Sequence, residues 1–132
     1  MTPYQLIKLA AAAVSALAIV PGAALAQPAE KSASQCFARS LIDGFNAPDD
    51  RTVYLRVGVR DVWRLDLMTD CINLTFRQSL GLESIPGSAW ICSPLEATVV
   101  YGDTGIRQRC PVKAMHKLTP DELAAVPKRD RP

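Results

Sequence analysis

Histidine occurs once in the 132 residues, as His116, and no two of the four cysteines form a C-x-x-C pair. Structural zinc usually takes closely spaced ligand pairs, so the sequence argues against a zinc site. A thioredoxin-like redox site lacks its motif for the same reason. No serine stands in G-x-S-x-G, the turn that presents a hydrolase nucleophile. Asp49-Asp50 has no D-x-D-x-D-G loop around it and reads as a turn with solvated carboxylates, not as a calcium site. The expectation is therefore no metal and no cofactor. Charge of one sign is also missing: 15 Lys plus Arg face 13 Asp plus Glu. That balance gives no general argument for nucleic acid or for an anionic membrane.

A long apolar run is absent too. The longest, Leu9 to Val20, has 12 residues before Pro21-Gly22, and a membrane span needs roughly 20. The run follows a start carrying only Lys8 and leads into Ala24-Leu25-Ala26. Basic start, short apolar middle and small-residue exit are the parts of a secretory signal. The sequence predicts residues 1–26 as a cleaved signal peptide of bacterial type, with a periplasmic or secreted product and no membrane anchor after cleavage. The mature chain would have 106 residues and, without Lys8, a net charge of +1. That is one domain with one modest core.

Cys36, Cys71, Cys92 and Cys110 are spaced by 35, 21 and 18 residues. Cys36 lies ten residues past Ala26, too far for lipidation at the cleavage site. An even set in an oxidising compartment predicts two structural disulfides. Of three connectivities, the reading selects Cys36–Cys110, tying the N-terminal segment to the last strand, and Cys71–Cys92, stapling neighbouring strands. Residues 27–35 are expected to be a flexible segment and Cys36 to open the fold.

Val53, Leu55 and Val57 alternate with Tyr54, Arg56 and Gly58, and Trp63, Leu65 and Leu67 alternate with Arg64, Asp66 and Met68. This two-residue period predicts paired strands. A turn around Val59-Arg60-Asp61 would pair Val57 with Trp63, Leu55 with Leu65 and Val53 with Leu67. All six would share one face, and Arg56 would stand opposite Arg64 on the other. Further strands are expected at Ile72–Phe76, Leu80–Ile85, Ala89–Cys92, Ala97–Tyr101 and Arg107–Met115. Leu41–Phe45 is ambiguous between strand and helix. Pro111 suggests an edge or a bulge.

The C-terminus predicts a short helix. Thr119 is the N-cap, Pro120 takes the first helical position, and Glu122 completes a capping box. Leu118 and Leu123 are placed to form a hydrophobic staple. Pro127 ends the helix, and residues 127–132 are expected to be a frayed tail. The fold expected for 36–126 is mainly β: a small, partly closed barrel or sandwich, OB-like in architecture, with a short C-terminal helix.

The order Cys36-Phe37, Ile42-x-x-Phe45, Asp49-Asp50-x-Thr52, Cys71-x-x-Leu74, Ile91-Cys92, Cys110-x-Val112 and Leu118-Thr119-Pro120-x-Glu122 resembles an uncharacterised family of small secreted four-cysteine bacterial proteins, domain of unknown function 6491. The resemblance covers nearly all of the mature chain. It implies secretion and one disulfide-bearing domain, and carries over no functional residue.

Three function classes follow. The first is a non-catalytic binding or envelope-interaction domain, with an envelope protein as partner. The second is an anion or polymer binder using Arg56, Arg64 and Tyr54 on an open sheet face, where Arg and Tyr can grip an oligomeric ligand. The third is an enzyme using His116, which would need an activated serine and a supporting acid nearby. No catalytic residue is assigned.

Overall fold

In the computed structural model, residues 36–102 and 105–132 are described. The expected signal peptide and the 27–35 segment lie outside the described residues.

The alternation at 52–67 produces the two central strands. Strand β3 (Thr52–Val57) pairs antiparallel with β4 (Asp61–Leu67). Val53, Leu55, Val57, Trp63, Leu65 and Leu67 are all buried on one face, as the period of two requires. The register, however, differs from the expected one. Val53 faces Leu65, Leu55 faces Trp63, and Val57 faces Asp61. The loop is only Gly58-Val59-Arg60, and Gly58 holds a φ of +63°, a conformation glycine adopts at no steric cost. The chain thus turns two residues sooner. A shift of two keeps every side chain on its face but separates Arg56 from Arg64: Tyr54 faces Arg64 and Val62 faces Arg56.

Strand β1 (Phe37–Ala38) pairs with β6 (Trp90–Ile91) as a separate two-stranded ribbon. The other six strands are β2 (Ile42–Asn46), β3, β4, β5 (Gly81–Glu83), β7 (Thr98–Tyr101) and β8 (Gln108–Lys117). They form one sheet in the order β2-β3-β4-β8-β7-β5, which curls into a half-barrel. β8 makes the curl possible. Its first half, Gln108–Pro111, pairs with β7, and its second half, Val112–Lys117, pairs with β4. Within the second half the β4–β8 register slips between the Asp66–Ala114 and Leu67–Val112 pairs, with Lys113 as the extra residue, and such a bulge bends a strand. Pro111 therefore lies two residues before a bulge and not on an edge strand. Its missing N–H points away from β7, while its carbonyl accepts from the Met68 amide at 2.9 Å.

The expected strand at Ile72–Phe76 is instead a turn and a 3-10 turn at Leu74–Phe76. Asn73 sits in the left-handed region at φ 62°, which breaks any extended run. Only Leu74 turns inward, and its amide donates to the Asp50 carboxylate at 3.1 Å. The Cys71 amide donates to the Asp50 carbonyl at 2.8 Å. Asp50 is thus a fastener for this loop.

Two disulfides form, but with a different pairing from the expected Cys36–Cys110 and Cys71–Cys92: they are Cys36–Cys92 and Cys71–Cys110. The ladder register explains both. Phe37 faces Ile91 and Ala38 faces Trp90, so the next antiparallel step sets Cys36 against Cys92. Cys71 follows β4, and β8 is the neighbour of β4, which brings Cys110 within reach. In the chain-entropy model loops of 56 and 39 residues contribute about 4 kcal/mol each. Phe37 packs on Trp63 at 4.9 Å between ring centroids, joining the ribbon to the main core.

Helix α1 (Pro120–Ala125) carries the expected capping box: the Glu122 amide donates to Thr119 Oγ1 and the Thr119 amide donates to the Glu122 carboxylate. Leu118 and Leu123 pack with Val126 on Tyr54 and Val62. The face of β3–β4 that was expected to be open is therefore covered by the helix. The C-terminal tail is fastened, not frayed. Arg131 donates to the Val126 and Ala124 carbonyls at 2.9 and 3.0 Å, and Asn46 donates to the Arg129 carbonyl at 2.9 Å.

Candidate functional site

Tyr54, Arg64 and His116, drawn from two different function classes, meet in one cleft. It has a volume of about 300 Å³ and is closed by Leu118, Glu122 and Val126. The ladder sets Arg64 between Tyr54 on β3 and His116 on β8. Its charges are largely matched. Arg64 Nε donates to the Asp66 carboxylate at 2.9 Å, and that hydrogen bond raises the arginine further above its ordinary range. His116 Nε2 stands 4.0 Å from Glu122. The Thr119 amide, ahead of the imidazole, holds the Glu122 carboxyl below its ordinary value. No serine lines this cleft, so the activated serine that the enzyme reading needs is not beside His116.

Arg56 does not join that cleft. Its guanidinium reaches back over Gly44 to Asp43, with contacts of 3.0 and 3.1 Å. Gly44 is its ladder neighbour, and a Cβ there would meet the guanidinium at 3.1 Å. The expected Arg56–Arg64 anion site is thus divided into two separate ion pairs.

A larger hollow, about 790 Å³, is elsewhere. Ser79, Gly81, Val100, Tyr101 and Arg107 line it. Tyr101 is buried, and burial raises its phenol above the ordinary value. Its hydroxyl donates to the Ile72 carbonyl at 3.0 Å, and the Arg77 guanidinium lies 5.4 Å from its ring. These contacts bind the loop to the sheet.

A third region was missed by the sequence reading. Beside the β3–β4 turn, a groove of about 600 Å³ runs between that turn and the β1–β6 ribbon. Val59 at the turn is 91 % exposed, Trp90 55 % and Leu41 53 %. All three line the groove. Trp90 is held by Ser88, whose hydroxyl accepts from the Trp90 amide at 3.2 Å and donates to its carbonyl at 2.6 Å. Lys117 and Asp61 pair at 2.7 Å on the groove wall, and Arg60 lines it too. The available signal was an apolar Val59 in a turn, where polar residues are the rule.

A curled antiparallel sheet, a disulfide-tied ribbon and one capped helix define a small disulfide-stapled β domain. A family model described as a family of unknown function (DUF6491) matches residues 4–132, and the chain belongs to that family. No curated protein and no solved structure matches it. Among the described residues, no helix is long and apolar enough to cross a membrane and no cluster of three metal-ligating side chains occurs. The two disulfides indicate an oxidising environment.

Proposed function

We propose that this chain is a non-catalytic binding domain of the bacterial periplasm or of the secreted fraction, and that it docks a protein partner of the cell envelope through the groove beside the β3–β4 turn. The observation that carries this reading is the joint exposure of Val59, Trp90 and Leu41 around one concave surface. Grouped exposed apolar side chains with a polar rim mark interaction sites more often than single ones do. Trp is also among the residues that dominate binding energy at interfaces. The N-terminal signal pattern and the two disulfides support export.

The enzyme reading is weaker because the cleft that holds His116 is smaller than the hollow beside Tyr101 and no serine lines it. The anion reading is weaker because Arg56 and Arg64 each already have a carboxylate partner. The test is retention of envelope proteins by the immobilised protein, compared with Trp90→Ala and Val59→Asp. A partner retained by the unsubstituted protein and lost by both variants supports the reading. Retention unchanged by either variant refutes it. Binding of inorganic polyphosphate that Arg64→Glu abolishes would favour the anion reading instead.

A further inference from the structure

The two disulfides differ in one respect that bears on chemistry. Cys71 and Cys110 are 2 % and 4 % exposed, inside the main core. Cys36 and Cys92 are both exposed, and Cys36 lines the groove wall. Thiol–disulfide exchange requires a thiolate to approach a sulfur, so access decides which disulfide reacts.

The exposed disulfide also has little secondary structure behind it. The β1–β6 ribbon has two residue pairs, Phe37 with Ile91 and Ala38 with Trp90, extended by one bond from the Arg39 amide to the Ala89 carbonyl at 3.0 Å. The six-stranded sheet does not depend on these pairs. Phe37 nonetheless covers Trp63, which is 2 % exposed. A two-pair ribbon is marginal alone, and weakly supported segments open without global unfolding.

We propose that Cys36–Cys92 is an exchangeable disulfide whose reduction by a dithiol releases the β1 strand from the groove and uncovers Trp63. A dithiol reductant is the co-reactant. One of its thiolates attacks Cys36 Sγ, the sulfur on the groove side. The Cys36–Cys92 bond breaks, a mixed disulfide forms on Cys36, and Cys92 leaves as a thiolate that takes up a proton. The second thiol of the reductant, deprotonated, attacks its own sulfur in the mixed disulfide and expels the Cys36 thiolate, which is also protonated. The protein gains two electrons and two protons, and the reductant becomes a disulfide. Cys71–Cys110 stays intact because no thiolate reaches it in the folded domain. This inference concerns the covalent state of the groove wall and does not rest on the identity of any partner.

The test is native-state reduction of the full chain with dithiothreitol, quenched by iodoacetamide at intervals and followed by peptide mapping. Cys36 and Cys92 are expected to be alkylated at least about tenfold faster than Cys71 and Cys110, with the far-ultraviolet circular dichroism retained. In a Trp90→Phe background only Trp63 reports, and its quenching by acrylamide should rise at least about twofold when the first disulfide opens. In the unsubstituted protein, exchange of the Arg39 amide hydrogen should rise at least about tenfold at the same stage. Reduction of both disulfides at one rate, or of Cys71–Cys110 first, overturns the proposal. So does selective reduction that leaves the Arg39 exchange and Trp63 quenching unchanged.

Discussion

Arg64 stands across the β3–β4 ladder from Tyr54, not from Arg56, and its charge is met by Asp66 two residues along its own strand at 2.9 Å. The pairing decides what charge reversal does. With Arg56 opposite, Arg64→Glu would relieve repulsion and stabilise the fold. With Asp66 adjacent, the same change sets two carboxylates together. Both side chains are well over a third exposed or close to it, so solvent screening keeps the effect small. Arg64→Glu is expected to destabilise by some tenths of a kcal/mol up to about 1 kcal/mol, read as a lower urea midpoint. A raised midpoint would restore the other register.

Trp63 is the largest fully buried side chain and meets Phe37 from the ribbon. Trp63→Ala removes that contact and leaves a cavity between ribbon and sheet. The expected cost is about 3–5 kcal/mol, measured by equilibrium denaturation. A loss below about 1 kcal/mol would mean that this core is not packed as described.

Thr119 and Glu122 satisfy each other's backbone amides at the start of α1. Thr119→Ala should cost about 1 kcal/mol, because α1 covers Tyr54 and Val62 through Leu123 and Val126. An unchanged midpoint would separate the helix from global stability.

The Glu122 carboxyl is held below its ordinary value, chiefly by the Thr119 amide. Asp70 is held down by the Arg51 guanidinium, which donates to both of its oxygens. A depressed folded pKa contributes stability that is fully present above the unfolded carboxylate range. That stability is lost as pH falls through the folded pKa. The melting temperature should therefore fall with acidification below about pH 4.5. Glu122→Gln, which cannot titrate, should show a shallower acid limb. An identical limb in the variant would remove Glu122 from the linkage.

The hydrophobic face of 53–67 was legible because strand periodicity is local, and Val53, Leu55, Val57, Trp63, Leu65 and Leu67 all land inside. The capping box was legible for the same reason, since Thr119 and Glu122 are three residues apart. Register was not, because a shift of two residues preserves the alternation and only the Gly58 turn decides between the alternatives. The disulfide pairing was not, because it depends on which distant strands become neighbours. Ile72, Leu74 and Phe76 alternate like a strand, yet the left-handed Asn73 turns the chain and leaves Ile72 and Phe76 in solvent. The cleft joining Tyr54, Arg64 and His116 needed the β4–β8 pairing across some fifty residues. The groove went unread because exposure of Val59, Trp90 and Leu41 is a property of the assembled ribbon and turn.

The most direct test of the groove as a docking surface is photocrosslinking in the cell that makes the protein. A benzophenone amino acid replaces Val59 at the turn, and a control replaces Leu95, which is 76 % exposed and does not line the groove. The account predicts a discrete protein adduct from position 59 that is absent from position 95 and is lost on adding Trp90→Ala. No adduct at position 59, or the same adduct from both positions, would contradict it.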